Sequence, residues 1–164
     1  VITVSANTRA AAEAAFPAAA VTAGGESRTA SVRKGLAALK DVDVVVIHDA
    51  ARCLVTPDVI DASVRCAIDH GSGVAAIPAR DTVRFRGGVI DRNDVMLAQT
   101  PQTFVFEAIR AAYARGFDAT DDAAHYAMAG NTVCFSPGSI RNQKLTTPDD
   151  IPFFEAFLGE RTCE

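Results

Sequence analysis

Several residue types and patterns are scarce or missing from this chain of 164 residues. It has no tryptophan, and its four cysteines include no pair at Cys-x-x-Cys spacing, which argues against a disulfide framework and a structural zinc site and favours reduced thiols. No apolar run approaches the roughly 20 residues that a membrane-spanning helix needs. No signal-peptide pattern is present either, so we expect a cytoplasmic protein without a membrane partner. Walker A and Gly-x-Ser-x-Gly motifs are also absent, which argues against a P-loop kinase and an α/β-hydrolase.

The charge balance of the chain is slightly acidic and contains no basic block. Lysine and arginine number 16 against 20 aspartates and glutamates, so the formal net charge is −4. Bulk electrostatics therefore do not favour a nucleic-acid partner. Hydrophobic residues make up 49% of the chain, which predicts a packed core rather than disorder.

Short apolar runs alternate with amphipathic segments along the whole chain. The runs predict strands over residues 1–4, 19–22, 43–47, 73–77 and 131–135. Capping and periodicity signals predict helices over residues 8–16, 31–39, 56–70, 106–115 and 120–130, and a last helix from residue 147. This alternation predicts an α/β fold with a mostly parallel sheet, in a single domain over residues 1–164 because no linker or repeat interrupts it. A polar β-like segment centred on Gly87-Gly88 predicts a protruding β-arm at about residues 80–93.

Three loops are predicted at the carboxyl ends of strands, where open α/β sheets bind ligands. They are Gly-Gly-Glu-Ser-Arg at 24–28, His-Asp-Ala-Ala-Arg at 48–52 and Asn-Gln-Lys-Leu-Thr at 142–146. Paired glycines before a helix favour an anion, Asp49 can hold a metal ion or a sugar hydroxyl, and Arg52 can pair with a phosphate. Each loop also has a purely structural interpretation: a tight turn, an Asp49–Arg52 ion pair, or a solvated Lys144. The residues alone thus indicate an α/β protein that binds a phosphorylated or nucleotide ligand.

Taken together, six ordered motifs are more specific than any one of them. They are GGESRTASV at 24–32, HDAAR at 48–52, RDT at 80–82, QTPQTF at 99–104, TDD at 120–122 and NQKLTTPDD at 142–150. Over essentially all of the chain, this set resembles the 2-C-methyl-D-erythritol 4-phosphate cytidylyltransferases of the non-mevalonate isoprenoid pathway. The resemblance implies a Rossmann-like nucleotidyltransferase fold of the nucleotide-diphospho-sugar transferase type. It also implies CTP as co-substrate, Mg²⁺ as cofactor and a homodimer formed through the β-arm. The implied reaction transfers CMP from CTP to 2-C-methyl-D-erythritol 4-phosphate and releases pyrophosphate.

The resemblance also implies roles for individual residues. Nucleotide-binding positions are Gly25, Glu26, Ser31, Asp49 and Ala50. Positions that bind the polyol phosphate are Asp49, Arg52, Thr82, Arg92, Thr100 and Lys144. Asp49 is also the implied metal ligand, and the implied catalytic residues are Asp49, Arg92 and Lys144. Two of these positions, Thr82 and Arg92, lie on the arm that would complete the site of the neighbouring subunit.

The sequence departs from the family pattern at a few places. Glu26 stands where the family usually has Asp, Cys53 stands where it has Pro, and the arm is shorter than is typical. The family also opens with a Gly-rich nucleotide-binding loop that carries an Arg and then a Lys. Nothing before Val1 supplies that loop, so we expect it to be missing from the sequence given.

Three alternative interpretations remain open at this point. A ribitol-5-phosphate cytidylyltransferase would carry similar motifs, since both substrates are polyol phosphates. A catalytically inactive nucleotide-binding relative would keep the fold alone. The chain would also fit one domain of a bifunctional polypeptide.

Overall fold

The computed structural model describes residues 1–160, in which strands and helices alternate. The strands are β1 (Ile2–Val4), β2 (Val21–Ala23), β3 (Val44–Ile47), β4 (Ser72–Pro78), β5 (Val83–Phe85), β6 (Gly88–Ile90), β7 (Met96–Val105) and β8 (Phe135–Pro137). The helices are α1 (Arg9–Ala15), α2 (Arg28–Ala37), α3 (Pro57–His70), α4 (Phe106–Ala114), α5 (Asp122–Met128) and α6 (Ile151–Glu160). Short 3₁₀ turns cover Ala6–Thr8, Arg92–Asp94 and Pro148–Asp150. No helix in this part of the chain has both the length and the apolar character to cross a membrane.

The chain forms two compact units. The first combines residues 1–45 and 105–131, and the second combines residues 46–104 with the chain from residue 132 onward.

The first unit joins a small parallel sheet to a helical core. β1 and β2 pair in parallel, with Ile2 opposite Val21. Gly35 on α2 lies close to this sheet, since a Cβ built there would lie 3.2 Å from the Cγ2 of Thr3. Helices α4 and α5 pack on each other and bury Ile109 and Tyr113 almost completely. Burial of these large side chains stabilises the pair of helices.

The second unit contains a four-stranded sheet in the order β3-β7-β4-β8. β4 pairs in parallel with β8 and antiparallel with β7. The expectation of a mostly parallel sheet was therefore wrong: the sheet is mixed. The chain leaves β4, makes the β5–β6 hairpin and returns in β7, and a return without a crossover helix produces an antiparallel neighbour.

Helix α3 shows how local sequence sets an element's bounds. Pro57 occupies its first turn, Asp58 lies at the positive end of the helix dipole, and the helix ends at Gly71 with φ 88°. The helix packs closely on β4, since a Cβ built on Gly73 would lie 2.0 Å from the carbonyl oxygen of Ser63. Only glycine fits that position.

Two further expectations about elements need correction. The strand predicted at 131–135 lies instead at Phe135–Pro137, because Asn131, which follows α5, is hydrogen-bonded back to that helix: its Nδ2 donates to the carbonyl of Tyr126 at 3.1 Å. The last helix, predicted from residue 147, begins as a 3₁₀ turn before α6. Asp150 accepts the backbone N–H groups of Thr146 and Thr147 there, both at 2.8 Å. These hydrogen bonds lower the pKa of Asp150 to about 2.

A hairpin occupies the predicted arm segment. β5 and β6 pair antiparallel, with Val83 opposite Ile90 and a turn at Arg86 and Gly87, and Gly88, the first residue of β6, has a φ of 148°. Phe85, Val89 and Ile90 expose much of their surface. The hairpin therefore presents apolar side chains to the outside of the second unit.

Candidate functional site

The loop after β3 carries an ion pair between residues far apart in sequence. Lys144 Nζ donates to Asp49 Oδ2 at 2.9 Å. The Asp49 side chain is 18% exposed and that of Lys144 is 43% exposed. Lys144 is therefore more than a solvated surface charge, and the second and third predicted loops meet at this pair.

Thr100 and His48 hold the backbone around Asp49. The hydroxyl oxygen of Thr100 accepts the N–H of Asp49 at 3.0 Å and lies 3.0 Å from His48 Nδ1. His48 Nε2 lies 3.2 Å from the carbonyl of Arg52, which can only accept, so Nε2 carries a proton. Partial burial lowers the pKa of His48. In the neutral imidazole, Nδ1 then accepts the Thr100 hydroxyl proton, and this chain of hydrogen bonds fixes the loop.

Arg52 is anchored by the third loop. Its Nη1 donates to the carbonyl of Asn142 at 2.7 Å. Its Nε is buried and has no hydrogen-bond partner among the described residues. Desolvation lowers the pKa of Arg52, and the charge of Asp49 opposes that effect. A guanidinium with an unused donor beside this loop suits an anionic ligand.

In the first unit, Ser31 of α2 closes the turn that contains the two glycines ahead of that helix. Gly25 N donates to Ser31 Oγ at 2.9 Å, and Ser31 Oγ donates to the carbonyl of Ser27 at 2.9 Å. A Cβ built on Gly25 would lie 2.3 Å from the Cβ of Ala30, so only glycine fits. Lys34 Nζ donates to the carbonyl of Gly24 at 2.8 Å. The hydroxyl of Ser31 thus shapes the loop predicted to bind the nucleotide.

The remaining predicted residues are exposed. Glu26 lies in this Gly-Gly loop, and Ala50 follows Asp49 in the second unit. Thr82 and Arg92 flank the hairpin, where Arg92 Nη1 donates to the carbonyl of Arg80 at 3.2 Å. Among residues 1–160, no hydrogen bond joins Thr82 or Arg92 to the Asp49–Lys144 pair. The structure therefore brings Asp49, Arg52, Thr100 and Lys144 together and leaves the hairpin residues outside that cluster.

A magnesium ion would find one suitable oxygen donor at this cluster, the carboxylate of Asp49. No group of three or more His, Cys, Asp or Glu side chains arranged to hold a metal exists among the described residues. Mg²⁺ commonly binds through one or two carboxylates together with substrate phosphates. A single carboxylate therefore fits an ion that arrives with a nucleotide and does not fit a metal held by the protein alone.

Sequence reasoning missed several residues that shape both loops. Gln99, Asn142 and His48 received no role, although each lies within or beside a quoted motif. Asp122 in the quoted TDD motif also received none, yet it pairs with Arg28 of the Gly-Gly loop at 2.6 Å. The first three of these polar residues lie within motifs that contain a predicted ligand-binding residue. That proximity in sequence is the signal that could have identified them.

Alternating strands and helices, with a glycine turn before a helix and a charged cluster after a strand, are typical of α/β proteins that bind phosphorylated ligands. Comparison with known proteins narrows this class. The family model for 2-C-methyl-D-erythritol 4-phosphate cytidylyltransferase (IspD) matches residues 1–160, and the chain belongs to this family.

Relatives and solved structures support the assignment. A 2-C-methyl-D-erythritol 4-phosphate cytidylyltransferase of Thermosynechococcus vestitus is 42% identical over 149 residues, covering 84% of this chain and 64% of that protein. A bifunctional IspD/IspF enzyme of Rhodopseudomonas palustris is 41% identical over 148 residues, covering 82% of this chain and 37% of that enzyme. The crystal structure of the Thermus thermophilus cytidylyltransferase superposes with a TM-score of 0.78 at 31% identity, covering 85% of this chain and 73% of that one. The matched region is thus less than two thirds of the Thermosynechococcus protein.

Proposed function

We propose that this chain carries the cytidylyltransferase activity that forms 4-diphosphocytidyl-2-C-methyl-D-erythritol from CTP and 2-C-methyl-D-erythritol 4-phosphate. The observation that carries the proposal is the Asp49–Lys144 ion pair beside Arg52, in a chain that matches the family over residues 1–160. A carboxylate between two cations is suited to handling a phosphate ester and a metal-bound nucleotide together.

In the proposed reaction, an oxygen of the substrate phosphate attacks the α-phosphorus of CTP. A new phosphorus–oxygen bond forms, the bond from the α-phosphorus to the bridging oxygen of the β-phosphate breaks, and pyrophosphate leaves. Such transfers depend on positioning and on neutralising charge. Lys144 supplies a positive charge for the oxygens of the reacting phosphates, and Asp49 holds Lys144 in place.

The substrate roles follow the same division of residues. Arg52 and Lys144 are proposed to bind the polyol phosphate, because both are cationic and Arg52 keeps an unused donor. Thr100 orders the loop beneath them in addition to its proposed substrate contact. Arg92 and Thr82 are proposed to reach the site of a second subunit from the hairpin.

For the nucleotide, the proposal assigns Gly25, Glu26, Ser31 and Ala50, with Asp49 as the protein's ligand to Mg²⁺. Gly25 has no side chain, and the tight turn leaves no room for one. A ligand can therefore approach the backbone of this loop closely. Magnesium supplies positive charge to the phosphate oxygens of the nucleotide when it is bound.

We also propose a homodimer formed through the β5–β6 hairpin. Phe85 is 57% exposed and Ile90 is 40% exposed, and the strand register places them on the same face of a short two-stranded sheet. Exposed apolar side chains on an extended hairpin are typical of surfaces that a partner covers.

A cytoplasmic location is proposed for the same protein. Cys53, Cys66 and Cys134 are free thiols, which suits a reducing compartment. Cys163 lies outside the described residues.

Residues 1–164 are proposed to act as one cytidylyltransferase domain, which the match of the family model to residues 1–160 supports.

The test is pyrophosphate release by the full-length protein with CTP, Mg²⁺ and either 2-C-methyl-D-erythritol 4-phosphate or ribitol 5-phosphate. Release with the first substrate alone is expected. Release with ribitol 5-phosphate alone would move the assignment to the ribitol enzyme. The control is that the protein has the correct intact mass and that its circular dichroism spectrum shows it to be folded. If such protein releases no pyrophosphate with either substrate, the chain is a non-catalytic relative.

A further inference from the structure

Asn142 lies at the centre of a buried polar cluster that connects β7 to both cations of the site. We propose that Asn142 is a positioning residue, which sets the place of Arg52 through its backbone carbonyl and that of Lys144 through the loop. Gln99 is the anchor that holds Asn142. The inference rests on the proposed function, because it concerns the affinity of that same site for the polyol phosphate.

The side-chain amide of Asn142 donates two hydrogen bonds through its Nδ2, while its Oδ1 is buried without a hydrogen-bond partner among the described residues. It is completely buried, and its Nδ2 donates to the carbonyl of Thr100 at 2.7 Å and to Gln99 Oε1 at 3.2 Å. Both of these partners are acceptors, so the position needs a group with two protons to donate. A carboxylate or an apolar side chain of the same size would donate to neither acceptor, so the carbonyl of Thr100 would lose this donor and Gln99 Oε1 would keep only its bond from the N–H of Ser139. Such a loss is costly inside a protein.

Gln99 fixes the segment ahead of Asn142 to the sheet. Its Nε2 donates to the carbonyl of Ser139 at 2.9 Å, and its Oε1 accepts the N–H of Ser139 at 3.2 Å. Gly138 lies against the same group, because a Cβ built there would be 2.6 Å from Gln99 Oε1. The backbone at 138–142 therefore has little freedom to move away from β7.

The two cations of the site depend on this fixed point. Asn142 O accepts from Arg52 Nη1 at 2.7 Å, so a shift of the Asn142 backbone moves the hydrogen-bond partner of the guanidinium. Lys144 follows two residues later, and Leu145 N then donates to the carbonyl of Ala51 at 2.8 Å. The loop that carries Lys144 is thus held at Asn142 on one side and at Leu145 on the other. Removing the first attachment frees Lys144 from Asp49 and Arg52 from its anchor.

The kinetic test uses Asn142→Asp in the full-length protein. Because its effect passes through two phosphate-binding cations, we expect the KM for 2-C-methyl-D-erythritol 4-phosphate to rise about tenfold or more. The KM for CTP should stay within about twofold on the same reasoning. A purely structural role would lower the fraction of folded enzyme, so kcat would fall and neither KM would change. That result would overturn the proposal.

Two control variants separate positioning from stability. Asn131→Asp removes a similar amide-to-carbonyl hydrogen bond in the first unit, at the end of α5. Ser63→Ala removes a buried hydroxyl that bonds Thr103 Oγ1 at 2.8 Å in the core of the second unit. Both should lower stability without changing either KM. An equal KM effect in either control would contradict a specific role for Asn142.

A double-mutant cycle tests whether Asn142 acts through Arg52. In an Arg52→Ala background, Asn142→Asp should raise the KM for the polyol phosphate by a smaller factor than in the wild type, since one of its two routes is already gone. Full additivity would show that the two residues act independently and would remove the Arg52 part of the proposal.

A labelling experiment tests the positioning role of Asn142 without an activity assay. The chain's lysines are Lys34, Lys40 and Lys144, so trace acetylation followed by mass spectrometry reports each amine separately. Asn142→Asp should raise the reactivity of Lys144 relative to Lys40, whereas Asn131→Asp should not. Unchanged Lys144 reactivity overturns the positioning role even in an active enzyme. A wild type that releases no pyrophosphate overturns the proposed function, while the labelling result still decides the role of Asn142 in the loop.

Discussion

Arg28 and Asp122 form a two-point salt bridge in the first unit. Arg28 Nη2 lies 2.6 Å from Asp122 Oδ2, and Arg28 Nη1 lies 3.1 Å from Asp122 Oδ1. Asp122 is completely buried and also accepts the hydroxyl proton of Tyr113. Arg28 opens α2, directly after the Gly-Gly loop, so this bridge ties that loop to the start of α5.

Replacing Asp122 by Asn should destabilise the protein by about 1–3 kcal/mol, because charge-assisted hydrogen bonds are lost while Arg28 can still reach water. Arg28 is 33% exposed, which keeps the expected loss below that of a fully buried pair. Urea unfolding followed by circular dichroism measures it. Asp118→Asn, at an exposed position of the same unit, is the matched control. Equal midpoints for the two variants would show that the bridge does not stabilise the fold.

Tyr113 gives the same network a dependence on alkaline pH. Burial and the neighbouring charge of Asp122 raise the pKa of Tyr113 above its ordinary value of 10.0. Above pH 10 the unfolded chain loses this proton while the folded chain keeps it, so rising pH favours unfolding. The stability that Tyr113 contributes is therefore complete below pH 10 and is lost above it. The difference in unfolding free energy between wild type and Tyr113→Phe should shrink from pH 9 to pH 11; a constant difference would contradict the raised pKa.

The sequence predicted a helix or strand correctly where local signals determine its bounds. Pro57 and Gly71 set the bounds of α3, and both bounds were predicted. The long strand β7 was missed because Pro101 lies in its middle, and proline is uncommon inside strands. Its pairing with β4 is a tertiary contact that overrides the local signal. That pairing also makes the sheet mixed.

The sequence predicted several residues of the candidate site, but it did not predict the contacts between them. Asp49 and Lys144 were both predicted, yet their ion pair spans 95 residues and no local pattern encodes it. Asn142 was missed for the same reason, since its acceptors come from β7. Charged residues beside strand ends indicate a ligand site, whereas the amides that hold them become visible only in the folded chain.

We expect His48 to make the protein less stable in mild acid. Desolvation lowers its pKa from the ordinary 6.5. Below pH 6.5 the unfolded chain therefore takes up a proton more readily than the folded chain, so stability is complete above 6.5 and declines as the pH falls. A proton on Nδ1 also removes the acceptor for the Thr100 hydroxyl. His48→Gln should lose less unfolding free energy than the wild type between pH 7.5 and pH 5.5, as measured by urea titration. The same slope in both proteins would assign the effect to other groups.

Asp49→Asn separates catalysis from folding. Its ion pair with Lys144 is partly exposed, so the loss of unfolding free energy should stay below about 1 kcal/mol. Turnover should fall by at least about tenfold if, as proposed, Asp49 positions Lys144 at the reacting phosphates. Pyrophosphate release and thermal unfolding on one preparation measure both quantities. A variant that fails to fold would identify Asp49 as a structural partner of Lys144 instead.

We expect a substitution on the β5–β6 hairpin to change the oligomeric state of the protein. Phe85 and Phe16 are each 57% exposed, but only Phe85 lies on the β5–β6 hairpin proposed to contact a second subunit. Phe85→Ser should convert a dimer to a monomer in sedimentation equilibrium, because a contact of this size is worth several kcal/mol of burial energy across two copies. Phe16→Ser removes an equally exposed ring from the first unit and should leave the dimer intact. If both variants dissociate equally, or the wild type is itself monomeric, the hairpin is not the interface, and Thr82 and Arg92 then have no route to a neighbouring site.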